Sequence, residues 1–301
     1  HRQWGLYERD EGLTLQQLLS GSYDKINENE RESIYSLGWL LTHYLTFDPA
    51  REGQLGRYLD LIAAGKTPND AATASFGDLR KLQSDALRYM NRSTLKAHVV
   101  PASQLGTPRV TVAPLAPGAS QVILLHAKTR SGVNDAEARQ VVAQARDAAD
   151  RALALNPRNT NAMVLKGRAI MALAKDSPSR DAMFDEARKI FIAANKIDTE
   201  DPDPLFNFYL SYVRQRKAPT PNAIAALHYA SDLVPQDDTV RWNSAYVHLR
   251  GGNLAKAKRA LVPVAFDPHG RSGASEAKAV IAAIDKGDAK AAIAAIEAAW
   301  N

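Results

Sequence analysis

Apolar and small residues recur with one spacing throughout the second half of the chain. Each copy begins with an alanine, has a small or large apolar residue four positions later, and has another three positions after that. Steps of four and three place these positions on one face of a helix. The fifteen positions are Ala145, Ala149 and Ala152; Ala187, Phe191 and Ala194; Ala223, Leu227 and Ala230; Ala257, Leu261 and Val264; and Ala292, Ile296 and Ala299. Successive copies are offset by 42, 36, 34 and 35 residues, which predicts a series of similar helix pairs that bury one face on their neighbours.

Five helices are predicted between residues 14 and 91, each beginning at a polar residue. The predicted N-caps are Thr14, Asn27 or Asn29, Asp48, Thr67 and Asp78. The second of these helices carries two apolar rows, so we expect it to be buried around most of its circumference. His43 lies within it, and no second His or Cys stands three or four residues away to share a metal. We therefore interpret His43 as a hydrogen-bonded packing residue.

Residues 93–133 predict a small β element between the two helical regions. The runs LKAHVV, RVTVA and QVILLHAKT are short and rich in β-branched residues, and segments containing Pro and Gly separate them. The predicted fold class is therefore mainly α, with three parts. A helical unit occupies residues 1–92, a short three-stranded β element occupies 93–133, and an α-solenoid of helical repeats occupies 134–301.

Composition narrows the candidate chemistry. The 301 residues include no cysteine, which excludes thiolate nucleophiles, disulfides and cysteine-based zinc sites. The 38 Lys and Arg are scattered among 33 Asp and Glu, a pattern that disfavours nucleic acid as a partner. No apolar run is long enough for a membrane span. Because the sequence begins at His1, the compartment stays open: periplasmic or secreted if a signal peptide precedes it, and otherwise cytoplasmic.

The repeated spacing resembles the tetratricopeptide repeat, a helix-turn-helix unit of about 34 residues. Pro157 and Pro235 stand where that unit has its closing proline, Pro268 is one residue early, and LKG at 165–167 is a reduced form of its first-helix signature. The resemblance covers residues 135–301 and departs from the family in its irregular turns. It implies about three to four repeats stacked into a solenoid with a concave groove.

A groove of this kind binds a peptide or a partner protein, and the first helix of each pair lines it. Aromatic and arginine side chains make good anchors in such interfaces. From the helical register, the candidate groove residues are Arg168, Phe206, Leu210, Arg214, Trp242, Tyr246 and Arg250. Trp242 and Tyr246 have a second interpretation as core residues, if Gly251 is an inserted residue.

The first third resembles the helical segment downstream of the zinc site in bacterial peptidase MA-like proteins, which are gluzincin-type enzymes. The resemblance covers residues 1–92 and depends on Tyr35, Trp39, His43, Tyr44 and Leu45, followed by QLGRYLDLIAAG, SFGDL and LRYM. Such enzymes need H-E-x-x-H, and this sequence does not contain it. The resemblance therefore implies the supporting part of a zinc metallopeptidase whose catalytic half lies upstream of His1.

Other catalytic signals are weak. GKT at 65–67 lacks the rest of a phosphate loop, and we interpret the acidic clusters ERDE and DTEDPD as solvated turns. No catalytic residue, metal ligand or cofactor is assigned. We expect a non-catalytic interaction protein, with the supporting part of a metallopeptidase as the alternative, and whether the full-length product is an enzyme stays open.

Overall fold

The computed structural model of the chain describes residues 13–20, 28–112, 114–115, 118–130, 135–267 and 273–300. All regular secondary structure in these ranges is helical. The α-helices are α1 (Leu15–Ser20), α2 (Glu28–Phe47), α3 (Gln54–Ala63), α4 (Pro68–Phe76), α5 (Leu79–Met90), α6 (Ala119–Arg130), α7 (Asp135–Leu155), α8 (Thr160–Leu173), α9 (Arg180–Ile197), α10 (Pro202–Gln215), α11 (Pro221–Leu233), α12 (Asp238–Arg250), α13 (Leu254–Ala265), α14 (Ala274–Asp285) and α15 (Ala289–Ala299). Short 3-10 turns occupy Pro49–Arg51, Ala102–Gln104 and Ala174–Asp176.

The described helices form two compact units. Unit 1 contains the described residues up to 107 together with those from 245 onward, and unit 2 contains those from 108 to 244. The boundary between the units falls within α12. Inside unit 1, Gly65 has φ 89° and packs so closely on Arg259 that a Cβ added at Gly65 would lie 3.1 Å from the Arg259 Cα.

The prediction of a three-stranded β element over residues 93–133 is wrong. Residues 93–101 and 105–112 have no regular secondary structure. Val99, Val110 and Val112 are 80%, 78% and 91% exposed. Strands are stabilised by cross-strand side-chain contacts and a buried face, and these valines have neither. Their β-branched composition alone does not produce a sheet.

The third predicted strand is part of a helix, α6. A short apolar run fits either a strand or a buried helix, and periodicity alone does not decide between them. Val122 is fully buried in α6, and the half-buried Leu125, His126 and Thr129 follow it at helical steps. Contacts of α6 with α7 and α8 bury this face, so packing selects the helix.

Local capping positions most of the predicted helix starts in unit 1. The Thr14 Oγ1 accepts a hydrogen bond from the Gln17 N–H at 3.1 Å, Thr67 caps α4 and Asp78 caps α5. These three starts are confirmed. Asp48 caps the 3-10 turn Pro49–Arg51 instead of a continuous helix, because Gly53 at φ 74° separates that turn from α3. The cap proposed at Asn27 lies outside the described residues, and the alternative, Asn29, lies within α2.

One face of α2 is buried in the core that it forms with α1, α4 and α5, and another face is exposed to solvent. Leu37, Leu40 and Leu45 are buried with residues of α1, α4 and α5. Tyr35 and Trp39, in the second apolar row, are 61% and 43% exposed. The prediction that α2 is buried around most of its circumference is therefore wrong for this row.

The repeated positions of the second half form the buried faces of successive helices. Of the fifteen positions, Ala299 alone is exposed, and the other fourteen are buried. In unit 2, each helix from α6 to α10 contacts the next one along the chain, and α8 also contacts α10. In unit 1, α13 contacts α14 and α14 contacts α15. None of the described helices is both long and apolar enough to cross a membrane.

Replacing Gly167 by alanine tests the close approach of α8 and α9. A Cβ at this position would lie 2.5 Å from the Phe191 Cε1 and 2.6 Å from its Cζ, and the Phe191 ring is fully buried. At an exposed position inside a helix, alanine is normally more stabilising than glycine by about 1 kcal/mol. Here we expect Gly167→Ala to lower the free energy of unfolding by about 1–3 kcal/mol because of overpacking, as measured by urea denaturation.

Phe191→Leu in the Gly167→Ala background is the matched control. The smaller side chain removes the overlap, so the double variant should lose less stability than the two single changes added together. A Gly167→Ala variant that is more stable than the wild type would contradict this packing.

Asp85 should make the stability of unit 1 depend on pH. Its carboxylate lies 2.8 Å from an Arg51 nitrogen and 3.0 Å from the Lys81 Nζ, and it also pairs with Arg88. The hydrogen bond from Lys81, together with the charges of Lys81, Arg88 and Arg51, lowers the pKa of Asp85. A carboxyl group whose pKa is lower in the folded state than in the unfolded state stabilises the fold at pH values above the ordinary aspartate pKa of about 3.9. This stabilisation is lost as the pH falls through the lower, folded-state pKa.

We therefore expect Asp85→Asn to be less stable than the wild type at neutral pH by a constant amount, and the difference to shrink below about pH 4. Chemical denaturation at a series of pH values measures it. The same substitution at the exposed Asp60 controls for the change of charge. A difference that persists unchanged at pH 2, or that grows in acid, would contradict the role given to Asp85.

Candidate functional site

A cavity of about 410 Å³ lies in unit 2 where α8 and α10 approach each other. Its lining includes the apolar side chains of Phe206 and Leu210 together with several charged side chains. We call it the groove and define it by Arg168, Asp203, Phe206, Leu210, Arg214 and Asp237. Apolar side chains in such a lining can bind a ligand by shape, and the charged ones can orient it by polar contacts.

Helical spacing explains why α10 supplies most of the groove. Asp203, Phe206, Leu210 and Arg214 recur at steps of three and four, so they share one face. Residues on other faces of the helix are buried in unit 2, including Leu205 and Tyr209. The Asp201 side chain begins α10 by accepting a hydrogen bond from the Asp203 N–H at 3.0 Å, and burial raises the pKa of Asp201.

A buried polar network fixes the last turn of α10. Arg188 of α9 donates through Nη1 to the Gln215 Oε1 at 2.9 Å, lies 4.5 Å from the centre of the Tyr212 ring, and pairs with Asp185. The Gln215 Nε2 donates to the Asp181 Oδ1 at 2.6 Å. With Gln215 held inward, Arg214 before it lies along the groove.

Arg214 contributes a positive charge to the lining of the groove. Its side chain is exposed to solvent at one side, and the protein atoms around it lower the pKa of Arg214 by partial desolvation. An arginine still carries its charge at neutral pH. Among the described residues it forms no ion pair, so its guanidinium can pair with an anionic group of a ligand.

The acidic side of the groove is held by its own local contacts. Asp203 lies with its Oδ2 3.4 Å from the His126 Nε2, and Asp237 accepts a hydrogen bond from the Val240 N–H at 3.0 Å. The Nδ1 of His126 is buried and has no hydrogen-bond partner within the described part of the chain. The two carboxylates are therefore positioned before any ligand arrives.

Four of the seven predicted groove residues line this one cavity: Arg168, Phe206, Leu210 and Arg214. Trp242 is half-buried in unit 2 and is not among its walls. Tyr246 and Arg250 belong to unit 1.

Contacts of Tyr246 within unit 1 occupy its side chain. Its hydroxyl donates to the Glu297 Oε1 at 2.8 Å, and its ring lies 5.0 Å from the Trp300 ring. Desolvation makes the largest contribution to raising the pKa of Tyr246, and the hydrogen bond to Glu297 raises it further. Arg250 is exposed at the end of α12.

Two charged groove residues were not predicted from the sequence. Asp203 belongs to the DTEDPD cluster, which we interpreted as a solvated turn, and Asp237 immediately precedes α12. The signal for Asp203 was available, since it stands three residues before Phe206 on the same helical face. Asp237 reaches the groove from another segment, which a helical register does not reveal.

His43 is held by packing and hydrogen bonds in unit 1. The Lys96 carbonyl oxygen lies 3.0 Å from the His43 Nε2 and can only accept, so Nε2 donates. The Tyr89 hydroxyl lies 2.9 Å from Nδ1, which in the neutral ring accepts from it. The rings of Trp39 and Phe47 lie 5.0 and 4.6 Å from the imidazole. Across the described ranges, no three His, Cys, Asp or Glu side chains are placed to hold a metal ion.

Comparison of the sequence with models of known protein families finds no match, and comparison with curated protein sequences finds none. The resemblances to the tetratricopeptide repeat and to peptidase MA-like proteins therefore stay hypotheses drawn from the sequence. The functional argument depends on the geometry and charge of the groove.

Proposed function

We propose that the chain is a non-catalytic interaction module that binds a peptide segment of a partner protein in the groove. The observation that carries the proposal is the placement of Arg214, an exposed arginine that forms no ion pair among the described residues, in the same cavity lining as the apolar side chains of Phe206 and Leu210. A volume of about 410 Å³ lies within the range of about 300–1,000 Å³ that is usual for ligand sites.

The lining specifies the chemistry of the peptide. A large apolar side chain would pack against Phe206 and Leu210, and an acidic residue next to it would pair with Arg214. Asp203 and Asp237 would favour a basic residue elsewhere in the segment. The mixed charge of the walls does not suit a nucleic acid, whose backbone would meet two carboxylates.

Peptide selection against the full chain tests the proposal. Peptides chosen from a random displayed library would be synthesised with a fluorescent label, and their affinity measured by fluorescence anisotropy. We expect Leu210→Glu and Arg214→Ala each to weaken binding about tenfold or more, because they remove an apolar contact and the charge partner, respectively. Selected sequences should be enriched in an acidic residue adjacent to a large apolar one.

Val213→Glu is the matched control, because Val213 lies on the same helix, is 39% exposed and does not line the groove. It should leave peptide affinity unchanged. Thermal unfolding followed by circular dichroism checks that each variant is folded. Selected peptides whose affinity survives both Leu210→Glu and Arg214→Ala would refute the groove as the binding site.

A further inference from the structure

A second cavity of unit 2, of about 630 Å³, is lined by positive charge. Its walls include the cations Lys175, Arg180, Arg214 and Arg216, and its apolar surface includes Met171 and Phe184. We call it the basic cavity. No described aspartate or glutamate lines it. It lies where the end of α8, the start of α9 and the end of α10 meet, and it shares Arg214 with the groove.

Within the described ranges, none of the four cations forms an ion pair with a carboxylate at 4 Å or less. Arg180 donates through Nη2 to the backbone carbonyl of Arg214 at 2.8 Å, and its guanidinium carbon lies 5.4 Å from the centre of the Phe184 ring. Those contacts orient Arg180 without neutralising it. The charge of the cavity is therefore uncompensated by the residues that line it.

Nearby carboxylates are engaged elsewhere. Asp181 accepts hydrogen bonds from Gln215 and from the Lys217 Nζ, at 2.6 and 3.1 Å, and these two bonds, with smaller contributions from the charges of Lys217 and Arg180, lower the pKa of Asp181. Asp185 pairs with Arg188. The hydrogen bonds and ion pairs of these two acids go to residues outside the lining, so the cations of the cavity can pair with an anion from outside the chain.

Arg216 adopts a backbone conformation that disfavours an arginine. It has φ 62° in the left-handed region, at the position after α10 where glycine is the usual residue. Such a conformation costs a residue with a side chain about 1 kcal/mol or more. A strained residue whose side chain lines a charged cavity points to a function for that side chain.

We propose that the basic cavity binds a small organic phosphate, with the phosphate among Lys175, Arg180, Arg214 and Arg216 and the organic group against Met171 and Phe184. A guanidinium binds two phosphate oxygens at once through its planar fork, and three of the four cations are arginines. A phosphate monoester carries nearly two negative charges at neutral pH, so it balances such a cluster better than a single carboxylate does. The volume is sufficient for a ligand of this class.

Phenyl phosphate and inorganic phosphate are the probes, with benzoate as the carboxylate control, all at one ionic strength because salt screens these interactions. Isothermal titration calorimetry on the full chain should show phenyl phosphate binding more tightly than inorganic phosphate, and benzoate binding at least about tenfold more weakly than phenyl phosphate. Phosphotyrosine within a peptide is a separate arm, and binding no tighter than that of phenyl phosphate would assign the site to a free small molecule.

Arg216→Gly is the most informative variant. Glycine relieves the left-handed strain, so the variant should be at least as stable as the wild type in urea while its affinity for phenyl phosphate falls about tenfold. Lys175→Ala should weaken binding similarly. Lys217→Ala is the matched control, because Lys217 is the next cation along the chain, pairs with Asp181 and does not line the cavity.

The outcomes separate this proposal from the peptide groove. Leu210→Glu should leave phenyl phosphate binding intact, even if it abolishes peptide binding. The proposal is overturned if benzoate binds as well as phenyl phosphate, if neither phosphate probe binds at millimolar concentration, or if Lys217→Ala weakens binding as much as Arg216→Gly does.

Discussion

Close approach of neighbouring helices depends on small side chains at the repeated positions. Alanine loses almost no side-chain entropy when it is buried, and it keeps the backbones of two helices near each other. The fully buried Ala187, Ala223 and Ala257 have this role in three successive copies. At Gly167 even a methyl group is too large, because the Phe191 ring occupies that space. Larger apolar residues at the intervening positions then fill the volume that the alanines leave.

This packing determines what the other helical faces can do. With one face of α10 buried, Asp203, Phe206, Leu210 and Arg214 on another face line a cavity. The network of Arg188, Gln215 and Asp181 then fixes the end of the helix. Because Asp181 and Asp185 make their hydrogen bonds and ion pairs with Gln215, Lys217 and Arg188, neither acid forms an ion pair with the cations that line the basic cavity. The structural polar contacts and the proposed binding chemistry are therefore linked.

Local interactions were the part of the fold that the sequence predicted best. A helix cap joins residues two or three positions apart, so Thr67 and Asp78 identify their helices without knowledge of the rest. The repeat register is also visible, because one face of a helix has a fixed period. The valines of residues 93–112 misled the prediction, since a strand needs a partner that no local pattern supplies. The predicted burial of Tyr35 and Trp39 was wrong for a related reason, because burial of an apolar row depends on what packs over it.

Prediction of the candidate site followed the same division. Phe206, Leu210 and Arg214 share one helix and could be grouped by spacing. Asp237 comes from a different segment, and Tyr246 belongs to unit 1 with contacts to Glu297 and Trp300. The periodicity of the sequence gives no signal for Arg216. Its role depends on its backbone conformation and on the absence of acidic residues among the described walls of the basic cavity.

Urea denaturation of four alanine-to-leucine variants tests the central claim most directly. Ala187 and Ala257 occupy repeated buried positions, whereas Ala193 and Ala255 are exposed on the same two helices. Ala187→Leu and Ala257→Leu should each lower the free energy of unfolding by about 1–3 kcal/mol, because the larger side chain separates the packed helices. Ala193→Leu and Ala255→Leu should change it by no more than about 0.5 kcal/mol. Equal effects at the buried and exposed positions would contradict the account.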